Sequence, residues 1–305
     1  MYAVRNASIR VWLQPMSYRG RFAPSPTGAL HFGSLVAAVG SWLVARHAGG
    51  EWVVRIEDID PPREVPGSAA SILATLDAFG LSPDGPVMYQ STRGDAYQTA
   101  FERLRTEGHV FPCWCSRADL AVHGGMHRHG QCVAAPEPDR SPAWRLRTPD
   151  ETLRWHDDLQ GPQSENLMEV AGDFVIRRVE GFWAYQLACV VDDGEQGITH
   201  VVRGADLLDS TGRQIYLQRL LGLNTPGYLH LPLVLDAEGR KLSKSDAAPP
   251  VDTTDPLPAL RLALERLGVT APIGPGTPRD LLHAALNEFK PASLRRSSLG
   301  GMGEL

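Results

Sequence analysis

Apolar and polar positions alternate in blocks that predict helices and strands in a defined order. A short segment from Tyr18 to Ala23 runs into Pro24-Ser25-Pro26-Thr27-Gly28, whose prolines and glycine forbid continued strand or helix and force a tight loop. Leu35, Val39, Trp42 and Leu43 then recur at helical spacing, and Gly49-Gly50 ends that helix. Glu51 to Glu57 reads as a buried strand. Strand, glycine-bearing loop, helix, strand is a βαβ unit. Its crossover is expected to be right-handed, with the first loop at the carboxyl edge of the sheet, where open α/β sheets bind ligands.

Beyond this unit, Asp60-Pro61-Pro62 stops the strand. Ile72, Leu73, Leu76 and Phe79 predict a helix over 68–79, and Tyr97, Phe101 and Leu104 predict another that closes at Gly108. Residues 109–142 show no sustained period. They contain a Cys-Trp-Cys, histidines, Gly124-Gly125 and several prolines, the pattern of a segment held by something other than a core. From 143 to 203 the pattern is strand-like, at Phe174-Val175-Ile176, from Gly181 to Val191, and from Gly197 to Arg203. A helix is expected over 207–221, a strand over 229–235, a turn at 236–239, and a further helix near 256–268. Residues 1–16 have no clear period, and the Ser/Gly/Arg-rich tail reads as disordered.

Composition narrows the picture. With 305 residues, 43% hydrophobic and 21% charged, the chain has the make-up of a globular protein with a sizeable core. The net charge of −5 argues against a protein that simply coats nucleic acid, though it leaves room for a local basic patch. No run approaches the ~18–20 apolar residues of a membrane span, and the N-terminus lacks the order of a signal peptide, so a cytoplasmic location and no membrane partner are expected. Four cysteines are too few for a disulfide scaffold. Lysine is scarce: Lys241, Lys244 and Lys290 stand against 27 arginines.

Two segments carry candidate nucleotide chemistry. The turn from Pro24 to Ser34 ends at a helix start, where free backbone N–H groups and the positive end of the helix dipole suit phosphate. Gly33 lets a nucleotide approach the backbone, and His31 either donates to phosphate oxygens or simply caps the helix. The second segment, Lys241-Leu242-Ser243-Lys244-Ser245, offers two ammonium groups to neutralise the charge that builds on a triphosphate when its α-phosphorus is attacked. His31-Phe32-Gly33-Ser34 resembles the HIGH signature, and Lys241 to Ser245 the KMSKS signature, of class I aminoacyl-tRNA synthetases. Arg21 to Gly28, Arg55-Ile56-Glu57-Asp58, Tyr89-Gln90-Ser91, Tyr185-Gln186-Leu187-Ala188, Val191-Asp192-Asp193 and Gly197 to Leu208 are similar to segments of glutamyl-tRNA synthetases. The resemblance runs from about Tyr18 to about Ala248.

This resemblance implies an α/β fold: a Rossmann-like catalytic domain with an inserted acceptor-binding segment, a short helical C-terminal part and no anticodon-binding domain. Its expected parts are an extension (1–16), the first half of the catalytic domain (17–108), the inserted segment (109–180), the second half (181–250) and the C-terminal part (251–305). Glutamate is expected against Arg21, Phe22, Ala23, Pro24, Ser25, Glu57, Tyr185 and Arg203, since arginine forks hold carboxylates, a glutamate pairs with an ammonium and a phenol donates. The plainer alternatives are an Arg21–Glu57 structural ion pair and a Tyr185 packed in the core. ATP, with Mg²⁺, is expected across His31, Gly33, Ser34 and Lys244, with His31, Gly33, Lys241 and Lys244 in catalytic roles. Only 60 residues follow Ser245, too few for a helical anticodon reader. In this the chain resembles the truncated paralogous family that activates L-glutamate without tRNA and passes it to the cyclopentenediol of queuosine in tRNA(Asp). A discrete glutamyl-tRNA synthetase and a non-catalytic tRNA-binding paralogue are the alternatives.

Cys113, Cys115 and Cys132 predict a structural zinc site, because thiolates are its usual ligands and closing a loop without a core is its usual task. The family resemblance implies three cysteines and a tyrosine four positions before the last. Here that position is Arg128, which does not ligate, and His127 or His129 on either side of it, or a water, is the expected fourth ligand. Cys189, in a segment read as an apolar strand, is expected to pack.

Overall fold

The computed structural model describes residues 17–122, 124–137, 139–233, 250–270, 273–274 and 276–294. In chain order the elements are β1 (Arg19–Phe22), α1 (Phe32–His47), β2 (Glu51–Ile56), α2 (Ser68–Ala78), β3 (Met88–Tyr89), α3 (Gly94–Thr106), β4 (Val110–Cys113), α4 (Arg117–Ala121), β5 (Ala143–Leu146), β6 (Thr152–Asp157) and β7 (Gly161–Asn166). Then follow α5 (Leu167–Val170), β8 (Phe174–Arg177), α6 (Tyr185–Glu195), β9 (His200–Gly204), α7 (Thr211–Leu220), β10 (Gly227–Leu231), α8 (Pro256–Arg266) and α9 (Pro278–Glu288).

Seven strands form one sheet in the order β3-β2-β1-β9-β10-β6-β7, parallel from β3 to β6, with β7 antiparallel at one edge. The chain builds outward from β1 through β2 to β3 on one side and from β9 to β10 on the other. The β1/β9 boundary is therefore the point where the winding direction reverses, and a crevice opens there at the carboxyl ends of the strands. A second, antiparallel sheet has the order β4-β5-β8.

Helix α1 packs against the sheet and against α8 and α9, and most of its residues from Leu35 to Ala45 are buried. Close passage explains Gly40: a Cβ there would lie 2.6 Å from Leu231 Cδ1 of β10 and 3.2 Å from Leu267 Cδ2, the residue that follows α8. A second apolar cluster joins Phe101 and Leu104 of α3, Leu187 and Val190 of α6, Leu217 of α7 and the smaller sheet.

The structure corrects one strand expectation. Within the 181–191 stretch the chain from Tyr185 onward is helical, as part of α6 (Tyr185–Glu195). Gln186 through Val190, then Asp192 and Asp193, are all buried, so both faces of this helix are covered and its apolar run carries no alternation to separate helix from strand. The region 207–221 begins as a 3₁₀ turn (Ala205–Ser210) before α7. The 109–180 stretch is shared between the two sheets: β4, β5 and β8 make the smaller one, while the β6–β7 hairpin extends the main sheet beside β10. Among the described residues no helix is long and apolar enough to cross a membrane.

Candidate active site

At the β1/β9 crevice lies a cavity of about 620 Å³. Its wall contains Arg21, Phe22, Ala23, Pro24 and Ser25 from β1 and the following turn, His31, Gly33 and Ser34 from the start of α1, Glu57 after β2, Tyr185 at the start of α6, and Arg203 in β9. Every expected glutamate- or ATP-contacting residue that the structure describes is therefore on one surface. Lys241 and Lys244 lie outside the described residues.

Two buried arginines, Arg21 on this wall and Arg55 behind it, belong to a charge-balanced cluster. Arg21 Nε donates to Asp193 Oδ1 at 3.1 Å, and Arg55 Nη1 reaches the same oxygen at 2.8 Å. Arg55 Nη2 lies 3.3 Å from Glu57 Oε1. The direct Arg21–Glu57 pair that the sequence allows is thus replaced by one in which Asp193 serves both guanidiniums. Burial alone would raise the Asp193 carboxyl, but Arg21 and Arg55 hold it below the ordinary range. Glu57 is shifted upward, because burial outweighs the pull of Arg55 and Arg21. An ammonium group placed beside Glu57 from the cavity would favour its charged form. Cys189, a residue of α6 and not of a strand, puts its thiol 3.6 Å from Asp193 Oδ2, and burial pushes that thiol up to about 12, so it stays protonated.

Arg203 is met differently. It is 5% exposed, and among the described residues no carboxylate lies within ion-pair distance of it. Its Nε donates to His230 Nε2 (3.0 Å), Nη1 to Gln214 Oε1 (2.8 Å) and Tyr185 Oη (3.3 Å), and Nη2 to Thr211 Oγ1 (2.9 Å). A guanidinium has five N–H groups, so one on Nη2 remains beyond these four bonds. Because the Tyr185 oxygen accepts from Arg203, its own hydroxyl proton is available to a ligand. A buried cation surrounded by neutral partners and facing a cavity calls for an anion.

His31 is the N-cap of α1: its Nδ1 accepts the Ser34 backbone N–H at 3.3 Å, and its Nε2 lies 3.0 Å from Ser34 Oγ. The capping arrangement coexists with a place on the cavity wall, next to the helix N-terminus where anions are favoured.

About the smaller sheet a second constellation forms. Donor atoms of Cys113, Cys115, His127 and Cys132 all lie within 4.8 Å of one another. His127 is 2% exposed, its Nδ1 lies 2.9 Å from Asp173 Oδ2, and its Nε2 is buried with no hydrogen-bond partner. An orphaned imidazole nitrogen beside three thiols, with a carboxylate behind the other nitrogen, is the donor set and support of a tetrahedral metal site, so this Cys₃His cluster suits a metal such as zinc. Burial and the neighbouring thiols push Cys132 up to about 12, which disfavours collecting thiolates there without a cation. His129 is exposed, in the left-handed region at φ 58°, and stands outside the cluster. Of the two flanking histidines, His127 is the one the fold supplies.

Several residues at these sites were not singled out from sequence as site residues. Arg55 and Asp193 belong to quoted motifs, which was their only signal. Thr211 and Gln214 of α7 and His230 of β10 surround Arg203, and Asp157 of β6 stands behind His230; all four fall outside any motif, and Asp157 and His230 reach Arg203 only when β6, β10 and β9 align.

Residues 17–273 match the family of class I tRNA synthetases (E and Q), catalytic domain. A protein from Xanthomonas campestris pv. campestris (strain 8004) named glutamyl-Q tRNA(Asp) synthetase is 57% identical over 287 residues, covering 93% of this chain and 95% of its own. A protein of the same name from Burkholderia cenocepacia is 56% identical over 265 residues, covering 83% of this chain and 89% of its own. Among solved structures, a glutamate tRNA ligase from Elizabethkingia meningosepticum, determined in complex with its amino acid, superposes with a TM-score of 0.77 at 26% identity. That alignment covers 92% of this chain and 66% of the ligase. The crevice at the strand reversal, the helix cap at His31 and a family match over 257 residues agree: the chain belongs to the class I tRNA synthetases of the glutamate and glutamine group, through their catalytic domain.

Proposed function

We propose that the protein activates L-glutamate with ATP in the absence of tRNA and transfers the glutamyl group to the cyclopentenediol of queuosine in tRNA(Asp). The observation that carries the amino-acid half of this reading is the Arg203 environment: a buried cation with neutral partners faces the same cavity as Glu57, so one wall receives a carboxylate and another an ammonium. The acceptor half is supported by the relatives named glutamyl-Q tRNA(Asp) synthetase, which align over 95% and 89% of their own length, whereas the glutamate tRNA ligase aligns over 66%.

In the first step the glutamate α-carboxylate oxygen attacks the α-phosphorus of ATP in line. The P–O bond to the leaving group breaks, and glutamyl adenylate and pyrophosphate form. The helix start at His31-Phe32-Gly33-Ser34 receives phosphate, Lys241 and Lys244 neutralise the developing charge, and Mg²⁺ accompanies ATP as part of the substrate. In the second step a queuosine hydroxyl oxygen attacks the acyl carbon, AMP leaves, and the hydroxyl proton is released. No covalent enzyme intermediate is required, so the protein contributes position and charge. Zinc held by Cys113, Cys115, His127 and Cys132 supplies structure, tying the segments around β4 together.

The test is charging with labelled glutamate of tRNA(Asp) with and without queuosine, against tRNA(Glu). Label on queuosine-containing tRNA(Asp) alone is the expected result; label on tRNA(Glu) assigns the protein to discrete glutamyl-tRNA synthetases. Lys244→Ala should lower glutamate-dependent ATP–pyrophosphate exchange by at least about 100-fold with the fold intact. Near-wild-type exchange would contradict the role given to Lys244.

A further inference from the structure

Asp157, His230 and Arg203 lie on adjacent parallel strands. His230 of β10 is the register partner of Arg203 in β9, and Tyr228, two residues earlier on the same face of β10, is the partner of Asp157 in β6. Side chains two apart share a face, so the three polar groups meet on one side of the sheet. His230 and Asp157 are fully buried. His230 Nδ1 is 2.6 Å from Asp157 Oδ2, and His230 Nε2 is 3.0 Å from Arg203 Nε. An arginine Nε–H only donates, so His230 Nε2 must accept; Nδ1 then carries the proton and gives it to Asp157. The Thr211 hydroxyl, 3.4 Å from His230 Nε2 and 2.9 Å from Arg203 Nη2, lies in the same ring of bonds.

We propose that Asp157 and His230 are positioning residues for substrate carboxylate recognition: Asp157 fixes the imidazole tautomer, and the imidazole fixes the Arg203 guanidinium that receives the carboxylate of glutamate. This deepens the functional reading above and rests on it. A neutral imidazole suits the task, because a carboxylate in direct contact with Arg203 would neutralise the charge reserved for the ligand, whereas a neutral acceptor orients it and leaves that charge intact. The remaining oxygen of Asp157 is occupied from elsewhere: Oδ1 accepts the backbone N–H groups of Leu159 (3.0 Å), Gln160 (2.8 Å) and His230 (3.2 Å). The carboxylate is therefore anchored by the β6–β7 turn and the β10 backbone and has one oxygen left for the imidazole.

That anchoring makes Asp157→Asn an informative variant. Three backbone donors will hold the amide oxygen at the Oδ1 position, so the NH₂ group will face His230 Nδ1. The imidazole must then accept at Nδ1 and carry its proton on Nε2, against the Arg203 Nε–H. In ATP–pyrophosphate exchange, D157N should raise KM for glutamate by about tenfold to a hundredfold and change KM for ATP by less than about twofold, the loss of one hydrogen bond to a charged group. His230→Gln in the presence of Asp157 should keep the glutamate KM near wild type, because its NH₂ group donates to Asp157 while its oxygen accepts from Arg203; adding D157N should raise the KM again, since that NH₂ group then meets a second donor. A side chain needed only to fill space would instead give His230→Gln and His230→Leu the same glutamate KM. A D157N glutamate KM within about twofold of wild type, equal rises for glutamate and ATP, or an H230Q glutamate KM as high as that of D157N would each overturn the inference. If D157N does not fold, H230Q against His230→Leu gives the same decision: the acceptor-retaining variant must keep the glutamate KM and the apolar one must lose it. A wild-type protein without glutamate-dependent exchange overturns the functional reading and this inference together, whereas wild-type exchange with unresponsive variants overturns the inference alone.

Discussion

Arg21 and Arg203 are both buried beside the same cavity, but their charges are answered in opposite ways. Arg21 shares Asp193 with Arg55, and Glu57 completes a cluster of two cations and two anions. Among the described residues Arg203 has only neutral hydrogen-bond partners, one of them a buried imidazole. Burial, with help from the Arg203 charge, holds His230 below its ordinary value of 6.5 against the hold of Asp157. Below about pH 6.5 the unfolded chain therefore binds a proton that the folded protein refuses. The stability this group contributes is fully present above that pH and is lost as pH falls, at up to about 1.4 kcal/mol per pH unit. Asp157 is also held low, by His230 and backbone donors that outweigh its burial, and acts in the same direction at more acid pH. Melting temperatures measured between pH 7.5 and about pH 5.5 should fall more steeply for wild type than for H230Q, which has no imidazole to titrate. Parallel curves would show that His230 is not held neutral.

Among the elements, the loops between β4 and β5 have little core of their own: Phe111, Cys113, Cys115 and Leu120 form a small cluster. Cys113 ends β4 and the other three metal-directed groups follow it at irregular spacing, with Asp173, just before β8, ordering the segment. Asp173 receives His127, the Gly130 backbone N–H (2.7 Å) and the Thr148 backbone N–H (2.9 Å). Metal content should accordingly distinguish the two histidines. His129→Ala should retain about one zinc per chain by elemental analysis, whereas His127→Ala should lose most of it, the expected effect of removing one of four ligands. Equal content in the two variants would place the fourth ligand elsewhere. Cysteine spacing pointed to this site, but the choice of histidine depends on a backbone turn at His129 and on a carboxylate 46 residues beyond His127, neither of which spacing reports.

For the molecule as a whole, a net charge of −5 means that RNA must be held by a restricted basic surface and not by the general field of the protein. In the proposed scheme glutamate is activated before tRNA binds, so that step involves no contact with RNA phosphates. Raising monovalent salt from about 50 to about 200 mM should therefore raise KM for tRNA by about tenfold or more, through loss of phosphate contacts, and leave tRNA-free exchange within about twofold. A similar salt response of both reactions would remove the separation between an activating crevice and an RNA-holding surface. The crevice sits at the β1/β9 reversal, whereas the metal cluster lies beside the smaller β4-β5-β8 sheet.

Local chemistry determined much by itself. The proline- and glycine-bearing turn before α1, the βαβ order, the helix start at His31 and the cysteine spacing were all readable from adjacent residues, because turn geometry, helix starts and ligand type are local properties. The wall residues Arg21, Glu57, Tyr185 and Arg203 were readable only by resemblance, and which arginine keeps an unanswered charge was not readable at all. That was decided by strand pairing. Parallel strands join residues separated by a helix or more, so Asp157, His230 and Arg203 meet across 73 residues of chain through register alone. Helix α6 was misread as a strand for the related reason that burial on every side erases the alternation by which a sequence announces its geometry.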